Sequence, residues 1–66
     1  MELQDYITKA EGITEETRRQ LSSALVSDPE GHELERLINE APVTSMSDEV
    51  RNRLNIMHAV EFDTNY

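Results

Sequence analysis

The sequence predicts an all-α fold, a small bundle of three to four short helices forming one domain over residues 1–66. Apolar residues recur in several segments at positions i, i+3, i+4 and i+7, the spacing that lines one face of a helix. No segment alternates apolar and polar residues with a period of two, so strands are not predicted. A chain of 66 residues with no repeat and no linker-like stretch has room for one small core, and dimerisation would enlarge that core.

The first two helices are predicted from an apolar face and a recognisable end. Residues 2–11 form the first helix, and Gly12 follows as a stop because glycine readily adopts the left-handed conformation after a helix. Residues 14–26 form the second helix, with Thr14 at the capping position and acidic residues in the first turn, where the helix dipole favours them. The two apolar faces consist of Leu3, Tyr6, Ile7 and Ala10, and of Leu21, Ala24 and Leu25.

The third helix is predicted over residues 29–40. Ser27 or Asp28 can cap it, and Pro29 fits the first helical position, where a missing N–H costs nothing. Pro42 disfavours helical geometry at the preceding residue and so ends the helix. Its apolar face consists of Leu34, Leu37, Ile38 and Ala41.

The fourth helix is predicted over residues 47–61, with Ser47 as its cap. Its apolar residues cover a broad arc, so that one helix could contact two neighbours. They are Val50, Leu54, Ile56, Met57 and Val60. A tail of residues 62–66 follows, in which Phe62 either packs back on the bundle or binds a partner, as Tyr66 also could.

The charge of the chain is strongly acidic and unevenly distributed. Fourteen Asp and Glu against six Lys and Arg give a net charge of −8, and residues 28–49 hold seven acids against one arginine. Such a charge repels nucleic acid and anionic membranes and favours a basic protein surface. On the third helix, Glu33 and Glu40 lie on one edge and could present carboxylates to such a surface.

Composition also limits the compartment and the kind of stabilisation. The chain has no cysteine, which excludes disulfides and the common cysteine-based zinc sites. The sequence contains no membrane-spanning run and its N-terminus does not have the pattern of a signal peptide. We therefore expect a cytoplasmic protein.

Catalytic and metal-binding patterns are incomplete. His32 begins a segment that resembles the zinc-protease pattern H-E-x-x-H, but Arg36 stands at the second ligand position and cannot coordinate zinc. A calcium-loop interpretation of residues 28–39 fails because His32 stands at ligand position 5, Glu33 at the glycine position 6 and Asn39 at position 12, where a bidentate glutamate is needed. His58 is predicted to be a surface residue. The sequence predicts no enzyme, no cofactor and no metal site.

A helix-turn-helix DNA-binding regulator is the alternative from another class. The order helix, Gly12, apolar residue and Thr14 cap fits that motif, and Arg18 and Arg19 could contact phosphate. Glutamates in the first turn of the second helix oppose the approach to DNA. A structural subunit of a larger assembly is a further alternative.

These patterns favour a small acidic protein–protein interaction module, a regulator, adaptor or inhibitor that occupies a partner surface. The partner is another protein with a basic surface, which includes nucleic-acid-handling proteins whose basic grooves the acidic face could occupy, or a second copy in a homodimer. The predicted partner-binding residues are Val50, Ile56, Met57, Val60, Glu33 and Glu40.

Overall fold

The computed structural model describes residues 3–62. It confirms the all-α prediction, with four helices and no strand among the described residues. The helices are α1 (Leu3–Lys9), α2 (Glu15–Ser27), α3 (His32–Glu40) and α4 (Asp48–Phe62). The predicted tail residues 63–66, including Tyr66, lie outside the described range.

The four helices pack as a ring around one core. Helix α1 contacts α2 and α4, and α3 contacts α2 and α4. Every helix contributes to the core, as does one residue of the α3–α4 connection. The buried apolar side chains are Leu3, Ile7, Ala10, Leu21, Ala24, Leu34, Ile38, Met46, Val50 and Leu54.

The chain consists of two equivalent helix–loop–helix units, α1–α2 and α3–α4, so the prediction that it contains no repeat is wrong. Leu3, Ile7 and Ala10 of the first unit have the same spacing as Leu34, Ile38 and Ala41 of the second. Thr14-Glu15-Glu16-Thr17-Arg18 corresponds to Ser47-Asp48-Glu49-Val50-Arg51, and Leu21 corresponds to Leu54. Three pairs of core residues therefore occupy matched positions: Leu3 and Leu34, Ile7 and Ile38, and Leu21 and Leu54.

The two loops pair with each other and hold the units together. Ile13 and Met46 form an isolated antiparallel bridge, in which the Thr14 N–H donates to Ser45 O (3.0 Å) and the Ser47 N–H donates to Gly12 O (2.8 Å). The predicted caps lie next to this bridge, since Thr14 Oγ1 accepts from the Thr17 N–H (3.2 Å) and Ser47 Oγ accepts from the Val50 N–H (3.3 Å).

The prediction that α3 begins at Pro29 is wrong, because the helix begins at His32. The Gly31 N–H donates to Asp28 O (3.2 Å), so residues 28–31 form a turn. Gly31 has φ +78°, in the left-handed region that glycine tolerates best. The N-cap position is therefore Gly31, not the predicted Ser27 or Asp28. The Asp28 carboxylate still accepts from the Glu33 N–H in the first turn of α3 (2.8 Å).

The other boundaries differ only slightly from the predictions. Helix α1 ends at Lys9, two residues before the predicted end, and α4 includes Phe62. Phe62 packs against the core, which confirms the first of the two interpretations of this side chain. Over residues 3–62, every helix is too short or too polar to cross a bilayer.

Candidate functional site

The outer face of α4 carries two exposed branched aliphatic side chains. Ile56 is 64% exposed and Val60 is 71% exposed. They lie four residues apart on one helix, so they are neighbours on its surface. Two such side chains one turn apart are a typical anchor for a partner that receives a helix.

The structure separates the four predicted apolar contact residues into three environments. Val50 is only 4% exposed and belongs to the core, so it is not part of an accessible surface. Met57 is half-buried and packs against the core. Ile56 and Val60 are the two that are mostly exposed. The accessible part of the predicted contact surface is therefore one edge of the apolar arc.

The equivalent helix α2 shows what the fold requires at these positions. The residues that correspond to Ile56 and Val60 are Ser23 and Ser27, and both are exposed. The same helix position in the same fold is therefore compatible with a small polar side chain. Ile56 and Val60 are therefore candidates for a contact outside the fold.

The predicted acidic residues Glu33 and Glu40 do not lie beside α4. They face α2, where Glu33 lines one groove and Glu40 lines another, with Gln20 of α2 in both. Both pair with Arg36, which is 3.3 Å from Glu40 Oε1 and also donates to Glu33. The hydrogen bond from Arg36 lowers the pKa of Glu33, and the same bond raises the pKa of Arg36.

Two other acidic residues do lie beside α4. Glu30 and Glu35 line a cavity of about 360 Å³ between the beginning of α3 and the last turns of α4. On the α4 side the cavity is lined by Asn55, His58, Ala59 and Phe62. Glu30 precedes α3 and Glu35 lies on it, so the carboxylates beside α4 are not those of the predicted Glu33 and Glu40.

His58 is not a free surface residue, contrary to the prediction. It is half-buried, and its Nε2 donates a hydrogen bond to Gly31 O (2.8 Å). Its ring lies 4.7 Å from the ring of Phe62, at an interplanar angle of 38°. These contacts join the last turns of α4 to the turn that precedes α3 and form the wall of the cavity.

Metal binding has little geometric support in the described part of the chain. His32 is exposed, and its Nδ1 lies 3.6 Å from Glu30 Oε2. Over residues 3–62, no three His, Asp or Glu side chains are placed so that they could hold a metal ion.

One of the two arginines named by the helix-turn-helix hypothesis, Arg18, is engaged within the protein. Arg18 donates to the carbonyl oxygens of Ile7 (2.6 Å), Thr8 (2.7 Å) and Ala10 (2.8 Å). A guanidinium held by three carbonyls and by Glu15 has few donors left for phosphate. Arg19 remains exposed.

Comparisons of the chain with models of protein families, with curated proteins and with solved structures give no match.

Proposed function

We propose that this protein is a small, non-enzymatic interaction module that binds another protein through the outer face of α4. Ile56 and Val60 are the anchors of this surface. The observation that supports the proposal is their exposure at positions where the equivalent helix carries serine. Exposed aliphatic side chains are common singly, but a pair in one row that the fold does not require favours a binding role.

The charge of the chain supports a partner with a basic surface. Three of its arginines are engaged within the protein: Arg18 and Arg51 with backbone carbonyls, and Arg36 with glutamates. The surface of this chain, whose net charge is −8, therefore has few uncommitted cations to offset its carboxylates. A partner with an apolar patch surrounded by basic residues would be attracted over long range and then held by the aliphatic anchors. We propose that this encounter takes place in the cytoplasm.

The test compares the wild-type protein with the double variant I56S/V60S in a tagged pull-down from host lysate. Serine is the residue of α2 at both positions, so the variant should keep its fold, which circular dichroism will check. V26S is the matched control, because Val26 is 77% exposed on α2. We expect one stoichiometric protein to be retained by the wild type and V26S and lost with I56S/V60S.

Two further outcomes would each overturn part of this proposal. Equal retention by all three proteins would place the binding surface elsewhere. Retention that disappears after nuclease treatment would support the DNA-binding alternative instead. Sedimentation velocity of the purified wild type over a range of concentrations shows whether a second copy covers the same face, in which case I56S/V60S would remain monomeric.

A further inference from the structure

We propose that the cavity between α3 and α4 receives a lysine or arginine side chain of the partner that covers Ile56 and Val60. This inference rests on the proposed function and identifies the chemistry that the partner must present next to its apolar patch. The cavity has a volume of about 360 Å³ and is lined by Glu30, His32, Glu35, Asn55, His58, Ala59 and Phe62.

The carboxylates of this cavity are available to a cation. Among the described residues, no Lys or Arg lies within ion-pair distance of Glu30 or Glu35, and the His32 imidazole lies 3.6 Å from Glu30 Oε2. Glu33, Glu40 and Glu15, in contrast, are already paired with arginine. A partner's ammonium or guanidinium group would supply the N–H donors that these two carboxylates lack.

The remaining lining suits the flat and apolar parts of a basic side chain. The rings of His58 and Phe62 lie 4.7 Å apart and form an aromatic wall. A guanidinium stacks on such a face, and the aliphatic stem of Lys or Arg packs against it. Asn55 adds an amide oxygen that can accept one further hydrogen bond.

The comparison with two larger grooves makes this location specific. The groove between α2 and α3 is lined by Arg19 and Arg36 beside Glu33, and the groove between α1 and α4 has Lys9 in its lining, so each already holds a cation. Over the described residues, the α3–α4 cavity has carboxylates and no Lys or Arg in its lining. An incoming basic side chain is therefore favoured at the α3–α4 cavity.

The cavity is continuous with the anchor surface. Ala59 lines the cavity and lies one turn from Ile56 and next to Val60 on α4. Its side chain is small and exposed, so no large side chain of α4 stands between the cavity and the two anchors at this position. One partner segment with an aliphatic residue followed by a basic one could occupy both.

The experiment is a titration of the ¹⁵N-labelled protein with N-acetyl-arginine methylamide, followed by chemical-shift changes. The neutral citrulline analogue has nearly the same shape and is the matched probe. We expect saturable shifts at the Asn55 side-chain amide and at the Gly31 and Ala59 backbone amides. These shifts should require the guanidinium charge and should weaken with added salt.

Two double variants with the same change in net charge separate local binding from the overall field. E30Q/E35Q removes the cavity carboxylates, whereas E11Q/E16Q removes two exposed carboxylates near the loop end of the molecule. We expect the dissociation constant to rise about threefold or more for E30Q/E35Q and to stay unchanged for E11Q/E16Q. Equal effects of the two variants, or equal shifts with the citrulline analogue, would overturn the inference.

This titration and the pull-down can fail independently. If the arginine probe does not bind the cavity while a partner still depends on Ile56 and Val60, the cavity inference is wrong and the proposed function stands. If the probe binds but I56S/V60S retains every partner, the anchor surface is wrong. The inference that the cavity serves that surface is then overturned as well.

Discussion

Arg18 and Arg51 occupy equivalent positions in the two helix–loop–helix units and make the same contact. Arg18 donates to the carbonyl oxygens of Ile7 and Ala10, and Arg51 donates to those of Ile38 and Ala41. The last carbonyls of a helix have no partner within the helix. In each unit, an arginine of the second helix therefore satisfies the end of the first.

We expect R18M or R51M to lower the free energy of unfolding by about 1–3 kcal/mol, because each leaves partly buried carbonyls without donors. Urea unfolding followed by circular dichroism measures the effect. R19M and R53M are the matched controls, since these exposed arginines should change stability by no more than about 0.5 kcal/mol. If R18M and R19M lowered the free energy of unfolding by the same amount, the carbonyl contacts of Arg18 would contribute little.

Much of the fold follows from local patterns in the sequence, and the relation between the two units does not. Caps and apolar spacing predicted four helices and most of the core. The repetition was missed because the offset is 31 positions between Leu3 and Leu34 but 33 between Thr14 and Ser47. A search for one fixed period cannot detect units whose loops differ by two residues.

The candidate site was less predictable for a geometric reason. A helical wheel shows which side of a helix is apolar, but it does not show which neighbour lies on each flank. Glu33 and Glu40 share one flank of α3 and Glu35 lies on the other, and only the packing of α2 and α4 decides between them. The same limit applies to Val50, which the wheel placed on the broad arc of α4 without showing that the core buries it.

Gly31 and Phe62 provide a test of the turn that precedes α3. A Cβ atom at Gly31 would lie 2.8 Å from Phe62 Cγ, and the backbone there has φ +78°. We expect G31A to destabilise the protein by about 1–3 kcal/mol, because both the left-handed backbone and the ring oppose a side chain. Urea unfolding of G31A measures the combined loss in the free energy of unfolding from both causes.

A double-mutant cycle separates the two causes. Replacing the ring in G31A/F62L should recover part of the loss, so that the double variant is more stable than the sum of the single changes by at least about 0.5 kcal/mol. Additive effects would mean that the backbone conformation alone accounts for the cost.

The two edges of the α4 apolar arc should respond differently to substitution. V50A removes core packing and should cost about 1–3 kcal/mol in free energy of unfolding. I56S/V60S removes only exposed side chains and should stay within about 1 kcal/mol of the wild type, with serine's slightly lower helix propensity as the main cost. Thermal and urea unfolding of both proteins make the comparison. A large destabilisation by I56S/V60S would assign these side chains to the fold and remove the support for a binding face.

Asp28 links the stability of the α2–α3 connection to pH. Its carboxylate accepts from the backbone N–H of Glu33 (2.8 Å) and of Glu30 (3.0 Å). The hydrogen bond from Glu33 is the largest cause that lowers the pKa of this carboxyl, and the proximity of His32 acts in the same direction. A pKa that is lower in the folded state stabilises the fold above the ordinary Asp value of about 3.9. This contribution is lost as the pH falls through the folded-state pKa.

We therefore expect the stability difference between the wild type and D28N to be largest near pH 7 and to shrink below about pH 4. Urea unfolding of both proteins at several pH values between 7 and 2 measures this difference. D5N is the control, because Asp5 is exposed on α1 and makes no side-chain hydrogen bond among the described residues. A D28N difference that stays constant over this range would show that the Asp28 carboxylate is not tied to the backbone of the turn. A stability difference between wild type and D28N that disappears as the pH falls would show instead that the ionised carboxylate of Asp28 holds the first turn of α3 in solution.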